Sequence, residues 1–290
     1  MTLQSTRDFY KSSAAITALD PLPPLGAVPR DTASLTRYVQ GLVLHEYWAT
    51  EYGVELSEAR KSESHTRRVG QLLSRILTLD GQPLSATRPP HKRLVGTCRH
   101  FSVLFAALLR QQGIPARARC GFATYFVPGQ FVDHWVGEYW DDTRSRWVRV
   151  DAQLDDLQQG SLKPDFNPLD VPPDRFVVAG DAWELCRSGQ ADPSQFGIHG
   201  MYGLWFIAGN VVRDFAALSK VEMLPWDVWG AMPTPDVPLS GEQVELFDQI
   251  ATVARAADVS VSKLRKLYKD SRLYVPTSVF NAVRGCSEVV

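Results

Sequence analysis

The sequence predicts an α+β fold: a buried helix opening at Cys98, packed on an antiparallel sheet carrying His134 and Asp151, with extra helices at the C-terminus. Three observations predict it. The run "CRHFSVLFAALLRQQ" leaves hardly any polar face on a helix, so that helix is buried on most sides. "HWVGEYW" and "WVRVDAQL" flank "DDTRSR", which reads as two antiparallel strands and a hairpin loop. Farther on, "LWFIAGNVVRDFAAL" and "SGEQVELFDQIATVARAAD" carry helical patterns, the second opened by a Ser240–Gln243 capping box.

Taken in order, residues 1–30 end in "DPLPPLGAVPR" and read as an N-terminal arm. "DTASLTRYVQGLVLHEYWATEYG" places Leu35, Tyr38 and Leu42 at helical spacing behind Asp31 or Ser34 as N-cap. "HTRRVGQLLSRILTLDG" sets Val69, Leu72, Leu73, Ile76 and Leu77 on one helical face. The Cys98 helix runs to Gln112 and stops at Gly113, a left-handed cap, with Pro115 beyond. "ARARCGFATYFV" is a strand ending at Pro128-Gly129, and "LKPDFNPLDVPPDRF" is a proline-punctuated linker. "VSVSKLRKLYKD" reads as a last helix. The organisation expected is therefore an arm (1–30), a core (31–160) and a mainly helical C-terminal region (161–290) packed on the core.

Composition narrows the function. A formal net charge of −1 shows no electrostatic footprint for nucleic acid or an anionic membrane. No run reaches the ~18 apolar residues of a membrane span, and the N-terminus lacks a signal-peptide core. The four cysteines include no CxxC pair, so a cytoplasmic, reduced setting with free thiols is expected. No Asp-rich loop has calcium-ligand spacing, and no cofactor is implied.

Cys98 opens a helix, where unpaired backbone N–H groups and the macrodipole favour a thiolate. The same N–H groups can hold the oxyanion of a tetrahedral intermediate. Alone, such a cysteine is more often a buried small hydrophobe. His134 and Asp151 extend the pattern. If Trp140 pairs with Trp147, paired positions sum to 287, so Val136 faces Asp151 and His134 is its diagonal neighbour on one face. Glu138 then opposes Arg149 as a cross-strand ion pair. Nucleophile, base and orienter come in the order Cys98, His134, Asp151.

With "GTC", "LLRQQGIPAR", "HWVGEYW" and "WVRVDAQ" around them, these three residues closely resemble the transglutaminase-like (papain-like) cysteine enzymes over about residues 93–156. The resemblance implies Cys98 as nucleophile, His134 as base and acid, and Asp151 as orienter. It implies acyl transfer or hydrolysis of an amide, peptide or thioester through a thioester intermediate, on a small-molecule, peptide or protein substrate. For the family's upstream oxyanion-assisting side chain, Trp48, Gln71 and Gln82 are candidates. Nothing after residue 160 matches a family segment.

Other readings stand beside this one. Arylamine N-acetyltransferases share the ordered triad but surround the cysteine with Arg-Gly-Gly-x-Cys, from which "LVGTC" departs. A catalytically silent binding or scaffold module would keep the fold without turnover. A zinc site from Cys98, His100 and His134 lacks the paired spacing of structural zinc. Asn210, Arg213 and Asp214 form one polar stripe on an apolar helix, read first as its solvent face. Should it point inward, Arg213 can hold a substrate carboxylate. Asn210, Arg213 and Trp135 are the candidate substrate-binding residues, and Cys120, Cys186 and Cys286 carry no assigned role.

Overall fold

The structure, a computed structural model, describes residues 3–19, 25–235, 237–256 and 261–290. Its helices are α1 (Leu3–Lys11), α2 (Thr32–Gln40), α3 (Glu58–Lys61), α4 (Val69–Leu79), α5 (Cys98–Gln111), α6 (Asp156–Leu162), α7 (Ala179–Arg187), α8 (Leu204–Leu218), α9 (Gly241–Arg255) and α10 (Val261–Leu267). The strands are β1 (Val43–His45), β2 (Leu94–Gly96), β3 (Ala116–Ala123), β4 (Phe131–Asp141), β5 (Arg146–Val150), β6 (Phe176–Val178), β7 (Phe196–Ile198), β8 (Met201–Tyr202), β9 (Asp227–Val228), β10 (Ser278–Asn281) and β11 (Cys286–Val289). The fold is α+β with a buried cysteine-bearing helix. The proline-rich part of the expected arm, residues 20–24, lies outside the described residues, and helix α1 precedes it.

The chain forms two compact units. One comprises Tyr10–Ala118 and Val136–Val171. It is built around α5, whose residues are buried without a break from Cys98 to Arg110. Helices α2 and α4 and the parallel pair β1–β2 pack on α5. Asp31 caps α2 by accepting the Ser34 N–H at 2.8 Å. That helix stops at Gln40, short of the expected span, because Val43–His45 leave it to pair with Leu94–Gly96. The buried Val69, Leu72, Leu73 and Ile76 give α4 its expected face.

The end of α5 obeys the sequence signals. Gly113 is left-handed at φ +76. Its N–H donates to the Arg110 carbonyl and that of Ile114 to the Leu109 carbonyl, both at 3.0 Å. This is the double closure of a Schellman motif. The second half of β4 pairs with β5 in the expected register, Trp140 opposite Trp147 and Glu138 opposite Arg149. The two indoles meet edge to face at 5.9 Å. Arg149 donates to Glu138 at 2.9 Å, and Arg117 reaches the other carboxylate oxygen at 2.7 Å.

The second unit comprises Met1–Phe9, Arg119–Trp135 and Pro172–Val290. Its part of β3 and β4 belongs to a sheet ordered β6-β3-β4-β7-β8, and a separate sheet runs β11-β10-β9. Helices α7, α8 and α9 pack on one another. Strand β3 ends at Ala123, short of the expected turn, and is buried at every position. Its arginines are therefore paired within the protein and do not form a wet face: Arg119 holds Asp214 through two bonds of 2.9 and 2.8 Å. The Ser240–Gln243 capping box at α9 is present in both directions.

Close packing of α5 on β4 depends on Gly137. A Cβ built there comes within 2.6 Å of the Phe105 ring. We expect Gly137→Ala to lower the unfolding free energy by about 1–3 kcal/mol. Gly160→Ala, in helical α6 with open space around it, should not destabilise, since alanine is the better helix former. Urea unfolding of the two variants checks this.

Candidate active site

Cys98 is the first residue of α5 and is buried. Thr97 is the N-cap, and the Thr97 N–H donates to His100 Nδ1 at 3.0 Å. That bond makes Nδ1 an acceptor, so the proton of the neutral ring sits on Nε2, 3.1 Å from the Thr66 carbonyl oxygen. Burial, reinforced by the Arg99 guanidinium, holds His100 well below the ordinary histidine range. His100 is therefore a neutral structural histidine with both nitrogens engaged. Arg99 donates to the Arg67 carbonyl at 2.7 Å and fixes the same segment from the next position.

Strand β1 ends beside this helix start, its register setting His45 against Gly96, two residues before Cys98. His45 is buried, its Nδ1 accepts the Tyr47 N–H at 3.3 Å, and its ring stacks 6.4 Å from Phe101. Trp48 closes the 3-10 turn that comes directly after, Glu46–Trp48, whereas Gln71 and Gln82 are exposed.

Asp151 follows β5 in the same unit and is fully buried. Its N–H donates to the Pro168 carbonyl at 2.8 Å, and its Oδ1 accepts the Gln153 N–H at 3.0 Å. From there a buried chain runs outward: Gln153 Nε2 donates to Gln158 at 2.9 Å, and Gln158 Nε2 donates to the Tyr52 hydroxyl at 3.2 Å. Tyr52 also bonds Asp155, and burial together with that carboxylate pushes its phenol well above the ordinary range. Two glutamines in succession thus brace the turn that carries Asp151.

His134 lies on the part of β4 that belongs to the other unit and is 2% exposed. Its imidazole meets the ring edges of Phe126 at 4.9 Å, Tyr125 at 5.9 Å and Phe176 at 6.3 Å. Trp135, next on the strand, is fully buried, and its indole N–H makes no hydrogen bond among the described residues. Asp133, on the other side, accepts from Asn210 Nδ2 at 2.7 Å.

The polar stripe of α8 is not a solvent face. Asn210, Arg213 and Asp214 are all buried, because α7, α9 and the β7–β8 strands cover the helix on its several sides. Asp214 takes Arg119 and the Cys120 N–H, the latter at 2.9 Å, while Arg213 donates to Asn210 Oδ1 at 3.1 Å and to the Asp227 carbonyl at 3.3 Å. Among the described residues no group of three or more His, Cys, Asp or Glu side chains is arranged to hold a metal ion. No described helix is long and apolar enough to cross a membrane.

Sequence reasoning passed over His45, Asp133, Gln153 and Gln158. Asp133 carried a usable signal: Phe131 and Trp135, its neighbours on the same strand face, are both aromatic, so a carboxylate between them is drawn into the interior. The glutamines carried none, since their partners are distant or lie across an irregular turn.

Residues 37–152 match the family model of the transglutaminase-like superfamily, a match that begins inside α2 and ends one residue past Asp151. The match reaches well upstream of the motif blocks and takes in β1 with His45. Neither a curated protein nor a solved structure gives a significant match.

The neutral, buried His100 has a consequence for stability. Its folded-state affinity for protons is depressed, so below about pH 6.5 the unfolded chain binds a proton that the native chain does not, and stability falls with pH. Between pH 7.5 and 5.5 this residue alone should remove about 1.4 kcal/mol. His100→Gln retains a capping-box acceptor and should lose that much less over the same interval, as read from urea unfolding at the two pH values.

Proposed function

We propose that Cys98, His134 and Asp151 act as a Cys-His-Asp triad in acyl transfer from, or hydrolysis of, an amide, peptide or thioester. The observation that carries the reading is Cys98 at the first position of a buried helix, inside the stretch that matches the transglutaminase-like family model. The β4–β5 register supports the other two members. Its last pair is Gly137 with Val150; one step further sets Asp151 opposite Val136, and His134 shares the strand face of Val136.

In this reading His134 takes the thiol proton and the Cys98 sulfur attacks the carbonyl carbon. Backbone N–H groups at the start of α5 receive the oxyanion. Collapse breaks the bond to the leaving nitrogen or sulfur, and the imidazolium returns the proton to that group. An amine or water then attacks the thioester, gives its proton to His134 and releases the thiol. Asp151, braced by Gln153, orients the imidazole and stabilises its charged form.

Iodoacetamide labelling resolved by mass spectrometry tests the premise, with the exposed Cys286 as internal reference. Cys98 should label faster than Cys286 at pH 7 despite its burial. His134→Ala should slow Cys98 by at least about tenfold without changing Cys286, because the thiol then loses the base that ionises it. A Cys98 no more reactive than Cys286, in native protein and in mild urea alike, would sink the enzyme reading and leave a binding module.

A further inference from the structure

Helix α8 turns a charged chain toward the strand that carries His134. Asp133 Oδ1 accepts from Asn210, Asn210 Oδ1 accepts from Arg213 Nη1, and Arg213 Nη2 donates to the Asp227 carbonyl. All three side chains are at least nine-tenths buried. Among the described residues Arg213 makes no ion pair, and its Nε–H is buried without a hydrogen-bond partner. Its hydrogen bonds go only to a neutral amide and a carbonyl, so the balance of a buried guanidinium falls to nearby acidic groups, among them the Asp133 and Asp227 carboxylates. Asn210 is the spacer that sets Asp133 one amide away from that cation.

The groups facing Asp133 come from three elements. Arg213 and Asn210 project from α8, His199 lies in the β7–β8 turn, and His134 is the next residue on β4. Burial is the largest influence on the Asp133 carboxyl and leaves it above the ordinary carboxylate range, while Arg213, the Asn210 hydrogen bond and the two histidines pull the other way, toward the anion. Adjacent strand residues face opposite sides, so Asp133 reaches the imidazole through its field and not by contact. On the imidazole's own side within this unit stand the rings of Tyr125, Phe126 and Phe176.

We propose that Asp133 is a positioning residue for His134: Asn210 and Arg213 hold its carboxylate in place and ionised, and that buried charge favours the imidazolium form. The proposal rests on the reading of His134 as the base. It gives the C-terminal region a part in reactivity, since Asn210 and Arg213 act on the base through Asp133 and not on the substrate.

The test is an NMR titration of 13C-labelled histidine in a Cys98→Ala background, with His134→Gln assigning one signal among the six histidines. Asp133→Asn keeps the shape and removes the charge. It should lower the His134 midpoint by about one pH unit, the effect of a charge about 10 Å away at an effective dielectric near 20. Asn210→Ala should move it the same way by less, and it carries the test if Asp133→Asn does not fold, as judged by circular dichroism. A folded variant whose His134 midpoint stays where it was overturns the proposal, since a purely structural contact can be lost without moving that midpoint. The titration needs neither substrate nor thiol. An inert Cys98 would end the acyl-transfer reading without touching it, and a reactive Cys98 beside an unmoved His134 would end the role of Asp133 alone.

Discussion

A helix buried on every side must satisfy each of its polar groups from within the protein, and α5 is such a helix from Cys98 to Arg110. Arg99 bonds the carbonyls of Thr66 and Arg67, His100 closes the capping box, and Ser102 turns back to the Cys98 carbonyl. Arg110 takes the Ala116 carbonyl and the Thr17 hydroxyl. These bonds tie the helix start to the segment before α4 and its end to the start of β3. The position of Cys98 is thus set by a ring of carbonyls and not by the cysteine itself.

Helix α8 repeats the arrangement in the other unit with different chemistry. Its polar residues sit at helical spacing, yet they divide between two strands: Asp214 holds β3 through Arg119 and the Cys120 N–H, and Asn210 holds β4 through Asp133. The Arg119–Asp214 pair is bidentate and buried on both sides. Removing one partner of such a pair costs about 3–5 kcal/mol, far more than the pair contributes over an apolar substitute. Such a helix fixes where two strands lie more than it adds stability.

Local periodicity and punctuation made part of this structure legible in the sequence. The end of α5 was readable because Gly113 and Pro115 close an apolar run. The hairpin register was readable because two tryptophans and an opposed Glu–Arg pair agree on one sum. Three features were not. The buried state of Asn210, Arg213 and Asp214 depends on what covers the far side of α8, which no local pattern encodes. The early end of α2 depends on β2, some fifty residues away, offering a strand partner to Val43–His45. The burial of Arg117 and Arg119 depends on Glu138 and Asp214, each distant in the chain. For the candidate site, residue types and order were visible at Cys98, His134 and Asp151, while the glutamines behind Asp151 were not.

The hairpin loop between β4 and β5 separates chain length from geometry. Residues 142–146 are exposed, and the ladder is fixed by the pairs from Asp141–Arg146 to Gly137–Val150. Lengthening or shortening the loop would change the number of residues between His134 and Asp151 while leaving their places on the ladder alone. A search pattern that demands a set interval between those two positions would mistake loop length for architecture and miss relatives with the same ladder. One that scores strand pairing on either side of a variable gap would find them.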